Sequence, residues 1–248
     1  MATFAWWNTT TKRYDLGPPI HLVSEDTKPN MTVNPSFELS YWFLGLDVAS
    51  RWMTRLGVEV PEIWTHVKSN LAPLPVTDGL YQVYEGIKTD FWTDEAYIND
   101  HPALAGLFGW LPPTEKLDLV AAAATTRKVW TAWNLTSCWG YAFISRIAQY
   151  ADIMSYRWDF PLLAMSAARL GDREQAIDWL LHPLFGFDEV GMPTGGVRVA
   201  TPYFPGSGGL LLAVAFMAAG WDEAPPGNAP GFPRDGWSVV SEGLMKAL

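Results

Sequence analysis

A single cysteine, Cys138, serves the whole 248-residue chain, so an internal disulfide framework is excluded. Histidine is nearly as scarce. His21, His66, His101 and His182 are scattered, with no His-x-His or His-Glu-x-x-His spacing, so no metal site is expected. A phosphate-cradling P-loop, a Gly-x-Gly-x-x-Gly opening a helix and a serine nucleophile elbow are all missing, so no nucleotide cofactor is expected either. Positive charge is in short supply, with 17 Lys and Arg against 26 Asp and Glu and a net charge of −9. A nucleic-acid binder needs a basic surface to neutralise phosphates, so that class is set aside. No apolar run is long enough to cross a bilayer; the longest, GLLLAVAFMAAG at 209–220, reads as a buried helix. The opening MATFAWWNTTTKRY lacks a charged start followed by an apolar block, so no secretory signal is read. The sequons at Asn8, Asn30 and Asn134 matter only if a longer form is secreted.

Aromatic residues are plentiful. Fourteen tryptophans, within a composition 49% hydrophobic and 17% charged, describe a folded chain with a large core. The same rings also suit a sugar-binding cleft, where flat aromatic faces stack on pyranose rings.

The apolar spacing is mostly helical. Residues 1–33 are polar, contain Gly17-Pro18-Pro19 and read as an extended segment. Asn34 then reads as an N-cap, with Pro35 first in a helix carried by Phe37, Tyr41, Leu44, Val48, Trp52 and Leu56 and stopped at Gly57. Pro61 opens a partner helix through Ile63, Val67 and Leu71, making an αα-hairpin. Residues 76–101 read as loop or short strand, 102–111 as a short apolar helix and 117–133 as an alanine-rich helix. Helices follow at 160–170, at 173–181 behind an Asp172 cap, at 207–219 after a glycine-rich loop, and in the tail at 238–248. The expected class is all-α: stacked αα-hairpins with few or no strands, as in an α-solenoid or an (α/α) toroid. No fixed-period repeat is visible, which argues against regular repeat arrays.

Three acids stand out. Glu38 lies in the first turn of its helix, where the dipole favours the anion, while Phe37, Tyr41 and Trp42 would desolvate it and favour the protonated form. A glutamic acid kept protonated near neutral pH can donate to a leaving group; one pointing to water only stabilises the helix. Asp100-His101 precedes Pro102 and reads either as an orienting pair or as a helix cap beside a surface histidine. Asp159 in Trp-Asp-Phe-Pro likewise reads as a second carboxylate or as a cap. Asp94 and Glu95 are further carboxylates in a loop after Phe91-Trp92. Pro205-Gly-Ser-Gly-Gly, with Ser207 at its centre, leads into a helix and can present backbone N–H groups to an oxygen-rich ligand.

Four segments together resemble the six-hairpin glycosidase superfamily, whose (α/α)6 barrels include glycoside hydrolase families 65 and 95. They are NPSFELSYWFLGLDVASRW, NDHPALAGLFGWLPP, WDFPLLAMSAARLGDREQAIDWLL and TPYFPGSGGLLLAVAFMAAGW. The resemblance spans about residues 1–222 and implies a toroid of paired helices that cleaves glycosidic bonds, mostly with inversion. It places Glu38 as the general acid, and it makes Trp42, Trp92, His101, Trp139, Trp158 and Ser207 the residues expected around the sugar. Inversion requires a second carboxylate roughly 6.5–9.5 Å away. The chain has Pro205-Gly206 where the pattern expects an acidic residue, so the base falls to Asp100 or Asp159, unranked. Twelve helices make a complete barrel and eight or nine are read here. The chain is therefore expected to be the C-terminal part of a longer enzyme, with the N-terminal half of the barrel as its partner. Residues 141–157 interrupt an expected Trp-Gly/Trp-Asp continuity and read either as a retained intron of the fungal type or as an extra helix. The rival functional class is a non-catalytic helical module that binds a carbohydrate or a partner chain through its aromatic face.

Overall fold

The computed structural model describes residues 1–24, 27–87, 90–98, 100–135, 158–195 and 200–248. Trp139 and the 141–157 segment lie outside the described residues. Among the described residues seven α-helices dominate: α1 (Ser36–Arg55), α2 (Glu62–Ser69), α3 (Glu95–Ile98), α4 (Leu119–Ala132), α5 (Asp159–Arg169), α6 (Arg173–Leu180) and α7 (Phe204–Ala219). Short 3-10 helices run over Pro29–Met31 and Ala103–Phe108.

The αα-hairpin of α1 and α2 forms over the expected residues, but the inward face of α1 is not the expected one: Tyr41, Trp52 and Leu56 are exposed, and Phe37, Leu44 and Val48 are only partly buried. Leu39, Phe43 and Leu46 face inward, and the chain leaves α1 through Gly57 at φ +68°. A second hairpin joins α5 to α6 through Gly171, and Asp172 Oδ1 accepts from the Gln175 N–H at 3.4 Å as a capping residue should. Every residue of α5 is buried. It is packed by α6, α7 and the Ala103–Phe108 turn, and each interior side chain such as Phe160 or Leu163 contributes roughly 1.5–3 kcal/mol. The α5–α7 contact is close because Gly209 has no side chain; a Cβ there would meet Pro161 Cγ at 3.1 Å.

The chain is not purely helical. Two small antiparallel pairs are present: β1 (Trp6–Asn8) with β2 (Arg13–Asp15), and β3 (Val76–Thr77) with β4 (Leu80–Tyr81). The second pair turns on Asp78-Gly79, both with positive φ, as a tight right-twisted hairpin requires. Residues 1–33 are therefore a folded unit rather than an extended segment. Tyr14 at the centre of β2 donates its N–H to Asn70 O and accepts from Ala72 N–H, which ties the hairpin to the end of α2.

Three local expectations are corrected. Asn34 is not the helix cap. Pro35 holds that position, and Asn34, at φ +50° and fully buried, spends its side chain elsewhere. Its Oδ1 accepts from Leu16 N–H at 2.8 Å, and its Nδ2 donates to Asp15 at 2.8 Å and Glu85 at 2.6 Å. Arg13 completes this network, donating to Asp15 at 2.8 Å and to both Glu85 oxygens. The glycine-rich PGSGG is not a loop but the start of α7, with Phe204 as first residue. The tail at 238–248 is not a helix: it runs irregularly and ends in a parallel bridge between Ala247 and Trp221. Gly243 at φ +71° breaks the weak helical pattern there.

Candidate functional site

The N-terminal unit brings Pro19, Ile20, His21, Pro29 and Asn30 beside the first turn of α1 and closes one side of a cavity of about 580 Å³. Its walls are Phe4, Pro19, Ile20, His21, Pro29, Asn30, Glu38 and Trp42. That volume lies within the range of small-molecule sites, roughly 300–1,000 Å³. Trp42 is held by a 3.1 Å hydrogen bond from its indole N–H to Met1 O, and Phe4 leans on it at 5.6 Å between ring centroids. The two rings make an apolar wall beside one carboxyl.

That carboxyl is Glu38, the third residue of α1. Its Oε1 accepts the Val23 N–H at 2.7 Å. Burial pushes its pKa up from 4.5 to about 7, against the opposing pull of the Val23 and Glu38 backbone N–H groups. The dipole of α1 also favours the anion, so desolvation outweighs every local stabiliser of charge. The desolvating surface differs from the one expected from sequence. Phe37 and Tyr41 pack against each other at 6.0 Å, and it is the Ile20–Ser24 segment that comes down on the carboxyl.

The other two acids meet one histidine. Asp159 is the first residue of α5, not its cap, and its Oδ1 lies 2.9 Å from His101 Nδ1. Asp100 Oδ1 accepts the His101 backbone N–H at 2.6 Å, and Asp100 O accepts the Trp133 indole N–H at 2.5 Å. Trp158 lies against the imidazole at 4.5 Å. His101 is thus a buried residue oriented by Asp159, not a surface one, and all three polar groups are within a few per cent of full burial. One link joins this cluster to Glu38: the Ser24 hydroxyl donates to His101 O at 3.3 Å, next in the chain to Val23.

The remaining sequence candidates separate. Trp92 belongs to an aromatic cluster with Phe91 at 4.8 Å and Trp133 at 6.2 Å, and does not line the Glu38 cavity. Asp94 precedes α3, outside the cavity wall. Ser207 sits inside α7, where Pro205 has no N–H and the Gly206 N–H already donates to Tyr203 O at 3.0 Å; an N–H cradle is not formed. Neither Asp100 nor Asp159 lines the cavity, and Glu38 is its one carboxylate among the described residues. Sequence reading missed Phe4, His21 and Asn30. They lie in a segment without periodicity, and only the rigid Gly17-Pro18-Pro19 turn hinted that it folds back.

Among the described residues no group of three or more His, Cys, Asp or Glu is placed to hold a metal ion. Nor, among the described residues, is any helix long and apolar enough to cross a membrane. Neither a protein-family model nor a curated protein matches the chain.

Proposed function

We propose that the Glu38 cavity is the leaving-group side of a glycoside hydrolase site, in a domain of six-hairpin type. The observation that carries this reading is the placement of Glu38. Its carboxyl retains a proton up to about pH 7, and it faces a cavity walled by Trp42 and Phe4. Glu38 protonates the glycosidic oxygen as its bond to the anomeric carbon breaks, and the departing alcohol leaves neutral. Trp42 and Phe4 take the apolar face of the sugar, and the Val23 N–H keeps the carboxyl aimed. The Asp100–His101–Asp159 cluster is buried outside the cavity wall, and on this reading it supports the acid through the Ser24 hydrogen bond to His101 O rather than activating water itself. On the same reading, α1/α2 and α5/α6 are hairpins of an (α/α)6 toroid. Exposed apolar side chains such as Trp52, Leu56 and Leu211 then mark faces that further hairpins, the N-terminal half of such a barrel, would cover.

The test is turnover of an aryl-glycoside panel by the wild type and Glu38→Gln. Loss of about 100-fold or more in kcat, with the fold intact, is expected for removal of a general acid. Unchanged turnover removes Glu38 from the mechanism. One observation favours a second reading, a non-catalytic carbohydrate-binding module: Glu38 is the only carboxylate lining the cavity among the described residues. Glycan binding that depends on Trp42, without turnover of any glycoside, selects that reading.

A further inference from the structure

The start of α6 and the proline-rich loop before the tail enclose a second cleft of about 350 Å³. Arg173 and Arg234 both line it, with Asn228, Trp237 and the rings of Pro226, Pro230 and Pro233. In a chain of net charge −9, two arginines line one concavity in which, among the described residues, no carboxylate forms part of the wall. Asp172, Glu174 and Asp235 are their neighbours in sequence, yet neither arginine forms an ion pair among the described residues. Among the described residues neither planar donor is spent on a protein carboxylate, and guanidinium donors suit a carboxylate or phosphate oxyanion.

The cleft is built rather than incidental. Gly231 sits so close to α7 that a Cβ there would meet Met217 Cα at 2.6 Å, and its N–H donates to Met217 O at 2.9 Å. Phe232 is buried and holds Trp237 at 5.5 Å between centroids. Asn228 Nδ2 donates to Val239 O at 2.7 Å, which leaves its Oδ1 to accept from a ligand hydroxyl. The half-exposed Trp237 indole and the proline rings offer a flat apolar wall, and the arginines offer the charge.

We propose that this cleft binds an anionic monosaccharide, a sugar whose carboxylate or phosphate engages Arg173 and Arg234 while its ring lies on Trp237. The site is separate from the Glu38 cavity and shares no residue with it.

Calorimetric titration of the full chain with D-glucuronate, glucose 6-phosphate, glucose and inorganic phosphate tests the assignment. Glucuronate or glucose 6-phosphate binds, and which of them binds tighter identifies the oxyanion; neutral glucose does not bind at the same concentration. Arg234→Ala, a change at an exposed position, weakens binding about tenfold or more, and added salt weakens it in the wild type. The Arg173→Ala, Arg234→Ala double variant keeps any aryl-glycoside turnover of the wild type, so this result is independent of the hydrolase reading. The proposal is overturned if neither anionic sugar binds below roughly 10 mM, or if the Arg173→Ala, Arg234→Ala double variant binds as the wild type does. Inorganic phosphate binding as tightly as glucose 6-phosphate overturns the sugar assignment.

Discussion

The proton on Glu38 has a consequence that thermal unfolding can read without any substrate. In the unfolded chain its carboxyl titrates near the ordinary 4.5, and in the folded protein near 7. Between these values the native state binds more protons than the unfolded state, so stability falls as pH rises through the window. The contribution is fully present below pH 4.5 and lost above about pH 7. The difference corresponds to about 3 kcal/mol. This is an upper figure, because the carboxyl borders an open cavity and ionisation draws water towards it. Glu38→Gln keeps an oxygen for the Val23 N–H and does not titrate. Melting both proteins from pH 4.5 to pH 8 should therefore show the variant gaining on the wild type as pH rises. At roughly 2–4 °C per kcal/mol for a chain of this size, the relative gain is several degrees. A difference that stays constant with pH refutes the buried-acid argument. A gain for the wild type above pH 5 refutes it more strongly, since that is the behaviour of an exposed first-turn carboxylate held as the anion by its helix.

Two further outcomes follow from the buried polar groups. Asn34→Ala removes three side-chain hydrogen bonds and puts alanine at φ +50°; a loss of about 3 kcal/mol is expected in urea, and Asn34→Gly should lose about 1 kcal/mol less because it tolerates that backbone. Asp159→Ala removes the acceptor of His101 Nδ1 inside the core and should cost about 3 kcal/mol in the same assay.

Where the sequence was legible, one local signal acted alone. The extents of α1 and α2 and the Asp172 cap are set within a few residues, so they read correctly; the buried face of α1 did not, because Leu39, Phe43 and Leu46 turn inward in place of Tyr41, Trp52 and Leu56. Where it was not, a distant partner decided. Asn34 looks like a cap because it precedes Pro35, but Leu16, Asp15 and Glu85 claim its amide. Strands of three residues are too short for alternation to show, so the 6–15 hairpin was invisible. The tail at 238–248 has helical spacing but no cap and no packed face, and its bridge to Trp221 decides its path. At the candidate site the acids were visible one by one, whereas the pairing of Asp159 with His101, 58 residues apart, is a property of the fold. Glu38 was identified for the right chemical tendency and with one of its expected neighbours, Trp42, while its roof comes from residues that precede the helix.

The Val23–Ser24 step fastens two stations with one peptide. Its first residue grips the acid and its second grips the backbone beside the imidazole. A protease cut upstream of α1 would do more than shorten the chain: it would turn an unusual acid into an everyday one.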